Sequence, residues 1–150
     1  IYGANGWYRT GARTGQDVEL LSRYVNVICP MFYPSHFEQA FLAQEPAVDR
    51  PWRIFYYGTW RNAVIARNKA VIRPWVQAFY LNVSYDRAWY NEEYVQRQVF
   101  GARDSIDEGY LYWNNSGRYS DLRPDMPRGA PYPWQAPAES LAGKLDPLVR

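Results

Sequence analysis

The sequence predicts an α/β fold: about four βα units forming the C-terminal portion of a (β/α)8 TIM barrel, with parallel strands and a Pro-rich irregular tail. Three observations predict it. Apolar segments centred on Val27, Ile72 and Leu111 lie 45 and 39 residues apart, with a helical pattern in each gap. That rhythm belongs to a parallel sheet with right-handed crossovers. Each segment also ends alike, in an apolar run, then an aromatic, then an amide or hydroxyl. Finally, a full barrel takes ~250 residues and eight strands, so 150 residues are expected to supply only part of one. Residues 1–122 form the partial barrel domain in this reading, and 123–150 the tail.

In chain order, Ile1-Tyr2-Gly3 reads as the end of a strand, and the chain as a segment of something longer. The Gly-rich stretch Asn5 to Thr14 is a loop. Thr14 followed by Asp17 resembles a capping box, opening a short helix over Gln16 to Tyr24 that buries Val18 and Leu21, with Leu20 a further candidate. Val25, Val27, Ile28 and Cys29 make a β-branched apolar run, expected to be a strand buried on both faces. It opens into Met31-Phe32-Tyr33-Pro34-Ser35-His36. Asp49 is placed to cap a helix from Pro51 to about Asn68, with Pro51 in its first turn. Gly58 weakens that helix by up to ~1 kcal/mol relative to Ala. The next strand unit, Ala70 to Phe79, contains Pro74, where the ladder must end or bulge for want of an N–H. Tyr80 to Tyr90 is a loop. Asn91 caps a helix with Glu92 and Glu93 in its first turn, and Val95, Val99, Ala102 and Ile106 form its apolar stripe. Gly109 to Trp113 is the last strand, Asn114-Asn115-Ser116-Gly117 a turn. Beyond Arg123 the prolines break regular structure, and Ser140 to Leu145 has room for one helical turn.

Composition narrows the function classes. Hydrophobic residues make up 47% and charged residues 21%, with a net charge of +2, as in a globular protein. Lys69 and Lys144 are the only lysines among 17 basic residues. The arginines are spread along the chain, without the clustered stripe of a nucleic-acid binder. Cys29 is the single cysteine and His36 the single histidine, so neither a disulfide nor a metal cluster is expected, nor any cofactor. Cys29 reads as a buried structural thiol. No apolar run approaches the ~20 residues of a membrane span. The distinguishing quantity is the aromatic content, 18%, with 14 Tyr and 7 Trp; such side chains serve both cores and the walls of binding clefts.

In parallel sheets, ligands sit at the carboxyl ends of the strands. The three strand ends collect Tyr33, Ser35 and His36, then Trp75 and Gln77, then Trp113 and Asn114 with Asn115. Flat apolar rings rimmed by amides and hydroxyls match a sugar, which offers C–H faces and a ring of hydroxyls. The competing reading is that Trp75 and Trp113 fill the interior and His36 is structural. Hydrolysis of a glycosidic bond usually needs two carboxyl groups. Only Glu38, Asp86 and Asp121 follow strand ends, and each reads as a surface loop carboxylate.

ICPMFYPSHF, IRPWVQAF and GYLYWNNSGRY, in this order and spacing, resemble three motifs of the bacterial putative glycosyl hydrolase domain family, which is related in fold to amylase-type barrels. The resemblance spans about Ile1 to Leu122. It implies a (β/α)8 barrel of which this chain is the C-terminal half, a polysaccharide substrate, and catalytic acids on strands upstream of Ile1. It also favours a location outside the cytoplasm. Tyr33, Ser35, His36, Trp75, Gln77, Trp113 and Asn114 would line the sugar cleft, and the chain alone is expected to be inactive, lacking the missing N-terminal half. Related sequences often carry an acid where this chain has Ala78. The rival expectation is a non-catalytic carbohydrate-binding or cell-envelope scaffold barrel.

Overall fold

The computed structural model describes residues 1–7, 14–90, 92–120, 122 and 130–142. Its strands are β1 (Val27–Ile28), β2 (Val71–Ile72), β3 (Trp75–Gln77) and β4 (Leu111–Trp113), and its helices α1 (Val18–Leu21), α2 (Arg50–Ala66), α3 (Ser84–Arg87) and α4 (Glu92–Asp104). β1 pairs with β2 and β3 with β4, both in parallel. Single parallel bridges, Tyr2 to Met31 and Met31 to Trp75, join the pieces. The chain thus lays down four neighbouring parallel segments in sequence order, near residues 2, 27–31, 71–77 and 111–113. The fold is α/β with short parallel strand pairs.

The prolines explain why the strands are short. Pro30 and Pro74 have no N–H to give, and the ladder breaks after Ile28 and after Ile72. Pairing survives through neighbouring groups: Trp75 N–H donates to the Pro30 carbonyl at 2.9 Å, and Leu111 N–H to the Pro74 carbonyl at 2.9 Å. The first segment is as predicted, with Met31 N–H on the Ile1 carbonyl at 2.9 Å and the Ile1 amino group on the Cys29 carbonyl at 3.0 Å.

One face of the sheet carries the helices. Ile28 and Ile72 pack with Val18, Ala63, Ala66 and Ala70, while Phe32 and Val76 pack with Ile54, Phe55, Val95 and Val99. Side chains alternate faces along a strand, so the residues between these point the other way, and they are less covered. Val27 is 39% exposed and Val25 38%; Met31, Val71 and Leu111 are half-buried. The expected strand buried on both faces is therefore corrected: among the described residues helices cover one face only, and only Ile28 of the apolar run is buried. Cys29 is a free thiol and half-buried, not the buried one expected.

The helices differ from expectation at their starts. α1 begins at Val18 because Asp17 itself is the cap, accepting from Leu20 N–H at 2.8 Å. Asp49 occupies the cap position of α2 without bonding its backbone; its carboxylate pairs with Arg97 of α4 instead. Asn91, predicted to cap α4, lies outside the described residues. Of the stripe predicted for α4, Val95, Val99 and Ala102 are buried, whereas Ile106 lies past the helix end and is half-buried. α2 and α4 lie close enough that a Cβ at Gly101 would stand 2.3 Å from the Trp52 carbonyl oxygen. Gly58 has a similar reason: a Cβ there would meet Trp7 at 2.7 Å and Phe32 at 3.0 Å. The weaker helix propensity is exchanged for ring packing.

Residues 130–142 dock on these helices. Tyr132 stacks on Phe100 at 4.5 Å, Trp134 meets the same ring edge-on at 5.2 Å, and Trp52 Nε1 donates to the Tyr132 hydroxyl at 3.0 Å. The Arg97 guanidinium lies 4.3 Å from the Trp134 ring centroid. The helical turn expected near Ser140 is a 3-10 turn over Ala138–Ala142; residues 143–150 lie outside the described ones.

Candidate functional site

At the carboxyl end of β1 the chain turns through a 3-10 helix, Pro34–His36, with Tyr33 at its N-cap. Tyr33 is buried, its ring edge-on to His36 at 5.2 Å and to Phe79 at 5.3 Å. Burial, aided by Tyr119, pushes its hydroxyl up to about 12, so Tyr33 is a neutral donor at physiological pH. His36 is exposed, yet the rings behind it lower its imidazole below the ordinary value by desolvation. It is held neutral and outward-facing.

Trp75, the first residue of β3, and Trp113, the last of β4, meet edge-on at 5.8 Å. Trp75 is half-buried and Trp113 44% exposed. Asn114 stands next to this pair, but its side chain is committed to the turn. Its Nδ2 donates to the Ala78 carbonyl at 2.6 Å and the Arg118 carbonyl at 3.0 Å, while Oδ1 accepts from Ser116 N–H at 2.9 Å and Ser116 Oγ at 2.8 Å. Gly117 completes the predicted turn at φ 69°, its N–H on the Asn114 carbonyl at 3.1 Å. Tyr119 connects the two aromatic groups: its hydroxyl accepts from Asn114 N–H at 3.2 Å and lies within electrostatic reach of Tyr33.

Ser35 and Gln77 face inward. Gln77 is fully buried, and its Oε1 accepts from Ser35 Oγ at 2.7 Å and Ser35 N–H at 3.3 Å. Its Nε2 donates to the Phe79 carbonyl at 3.0 Å. The Gln77 backbone, where the chain of β1 has turned away, is completed by a side chain of α4: Gln98 Oε1 accepts from Gln77 N–H at 2.8 Å, and Gln98 Nε2 donates to the Gln77 carbonyl at 3.1 Å. A buried backbone pair left without partners would be costly, and this glutamine acts as one residue of a missing strand.

Behind the site lies a buried ion pair that sequence reasoning missed. Arg50 of α2 pairs with Asp86 of α3 at 3.1 Å. The other Asp86 oxygen accepts from the Tyr94 hydroxyl at 3.2 Å. Asp86, read from sequence as a surface loop carboxylate, is 2% exposed; that reading is corrected. Burial raises its carboxyl above the ordinary value even against Arg50. Glu38 is exposed, and Asp121 lies outside the described residues. Among the described residues no group of three or more His, Cys, Asp and Glu side chains is gathered as for a metal ion. No helix among them is long and apolar enough to cross a membrane.

So the structure brings Tyr33 and His36 together with Phe79, and Trp75 together with Trp113, while the side chains of Ser35 and Gln77 bond each other and that of Asn114 holds the last turn. Phe79 and Tyr119 were legible as aromatics closing the IRPWVQAF and GYLYWNNSGRY motifs. Comparison with known sequences agrees with this arrangement of motifs: the family described as "putative glycosyl hydrolase domain" matches residues 1–119, and the chain belongs to that family. No curated protein and no solved structure matches it.

Proposed function

We propose that this chain contributes the substrate-binding half of the cleft of a glycoside hydrolase built on a (β/α)8 barrel and acting on a polysaccharide. The observation that carries the reading is the exposed ring of Trp113 at the carboxyl end of β4, edge-on to Trp75, together with the exposed imidazole of His36 in the turn that follows β1. Trp113 and Trp75 would stack on sugar C–H faces, and His36 and Tyr33 would hydrogen-bond hydroxyls. Ser35, Gln77 and Asn114 keep these groups in place. The barrel is supported by the sequential parallel order of the strands and by the face that helices leave uncovered, since parallel sheets are normally covered on both sides. Further strands from the same protein would close over Val27, Val71 and Trp75.

The test is titration of the chain with oligosaccharides of differing linkage, read by tryptophan fluorescence and by the single imidazole resonance of His36. At least one class should shift both, and Trp113→Ala should lose that binding while the fold survives. No response to any of the panel in the millimolar range would refute the reading. Hydrolysis is expected to need acids outside this chain, so clear turnover by the chain alone would overturn that division of labour.

A second reading, a non-catalytic carbohydrate-binding or cell-envelope scaffold, is favoured by one observation. Of the strand-end carboxylates among the described residues, Glu38 is exposed and Asp86 is committed to Arg50. Binding without turnover in the protein that carries the upstream strands would decide for it.

A further inference from the structure

We propose that Arg50, locked to Asp86, is the positioning residue that holds the Tyr33–His36 turn against Phe79, and that it shapes the ligand face without touching a ligand. The proposal rests on reading that face as the sugar site. A guanidinium has five N–H donors, and all five of Arg50 are occupied. Nε donates to the Phe41 carbonyl at 2.8 Å. Nη1 donates to the Pro34 carbonyl at 3.2 Å and to Asp86 Oδ1 at 3.1 Å. Nη2 donates to the carbonyls of Glu38 at 2.9 Å and Phe37 at 3.4 Å. Four of the five bonds therefore end on the backbone of one segment, residues 34–41, whose own structure is a three-residue 3-10 turn and one further turn closed by Phe41 N–H on the Glu38 carbonyl.

The same segment is gripped from a second side. The Tyr85 hydroxyl, one residue from Asp86, lies 2.9 Å from the Ser35 carbonyl and 3.0 Å from that of Phe37. Its ring lies 5.6 Å from the Arg50 guanidinium. Tyr94 continues the network from Asp86 towards Gln77. The loop after β1 and the helix after β3 thus share one buried charge pair, both members 5% exposed or less. An ion pair in such a place adds little net stability compared with apolar packing, because desolvation offsets the attraction. What it does supply is direction, since the planar fork fixes four carbonyls at once. A lysine at this position would keep the charge but has three donors and no fork.

The test uses Arg50→Lys and the sole imidazole as reporter. The rings packed on His36 are Tyr33 of its own turn and Phe79 beyond β3, and of these only Tyr33 titrates, near 12. The His36 midpoint therefore reports how closely those rings cover it. In the folded variant without ligand, the midpoint should rise towards the ordinary value of ~6.5. The amides of His36 and Phe37, bonded to the carbonyls of Tyr33 and Pro34, should exchange at least ~10-fold faster while α2 and α4 keep their protection. A variant that melts earlier but keeps the wild-type midpoint and exchange at these two amides would overturn the proposal and leave Arg50 as a stabilising residue only. Should Arg50→Lys not fold, Tyr85→Phe removes one hydroxyl from the same segment and must move the midpoint in the same direction; no movement overturns it equally. Oligosaccharide titration of the wild type judges the sugar reading separately, because neither readout above requires a ligand.

Discussion

Gln98 offers the sharpest test of how the strand ends are built. It is fully buried, and its amide serves three backbone groups: Gln77 N–H at 2.8 Å, the Gln77 carbonyl at 3.1 Å and the Tyr94 carbonyl at 3.2 Å. Gln98→Met keeps the length and the helix propensity of the side chain and removes every polar atom. A buried donor and a buried acceptor on Gln77 then lose their partners, at about 1–3 kcal/mol each. Part of that is regained because a thioether is more easily buried than an amide, leaving a net loss of about 2–4 kcal/mol. For a chain of this size that corresponds to a fall in Tm of roughly 5–15 °C. Urea denaturation followed by tryptophan fluorescence would measure it, and hydrogen exchange should show the Gln77 amide released. Gln98→Glu adds a sign. Its carboxylate would face the Gln77 carbonyl, so the folded pKa lies above the unfolded one. The variant is then most stable below the unfolded value of ~4.3 and loses that stability as pH rises through the folded value. A Gln98→Met protein within ~0.5 kcal/mol of wild type would refute the strand-mimic argument.

Two further predictions concern the frame and its titration. Gly101→Ala should destabilise by about 1–3 kcal/mol although alanine is the better helix former by up to ~1 kcal/mol, because the added methyl meets the Trp52 carbonyl oxygen of the facing helix at 2.3 Å; a stabilised variant in thermal melts would contradict that crossing. Because the imidazole of His36 is lowered by burial, the unfolded chain takes up the proton first. Stability present above ~6.5 should fall as pH drops through the lower folded value, and His36→Gln should lack that slope in paired melts at matched pH.

Much of the frame was legible because it depends on local pattern. The stripe Val95, Val99, Ala102 specified α4, Pro74 specified the break between β2 and β3, and Asn114 to Gly117 specified the last turn. The motif ends also supplied the rings that the structure pairs, Tyr33 with His36 and Trp75 with Trp113. What stayed hidden was the partnership of polar groups far apart in sequence. Arg50 and Asp86 are 36 residues apart, and nothing in their neighbourhoods distinguishes a buried pair from two surface charges. Asp49 shows the same limit, having every local feature of a cap while its carboxylate is drawn to Arg97. Ser35 and Gln77 have the residue types of a sugar site, yet they hydrogen-bond each other. Composition does not reveal which polar group is already satisfied.

The distribution of polar partners separates the buried network from the exposed rings by task. Arg50, Asp86, Tyr94, Gln77 and Gln98 are all buried and bonded to one another or to backbone. These groups can fix geometry but have little capacity left for a ligand. Trp113 and His36, by contrast, are exposed and rest on other rings, Trp75 in one case, Tyr33 and Phe79 in the other. Rings held edge-on by rings are rigid without using their outer faces. A sugar binding there would need few side chains to be newly ordered, so less of its contact energy would be lost to entropy. By the same logic, substitutions on the inner network should change how well the face is formed, whereas substitutions at Trp113 should change binding alone. A Trp113→Ala protein whose melting point falls as far as that of Gln98→Met would show that the buried network and the exposed rings are not divided in this way.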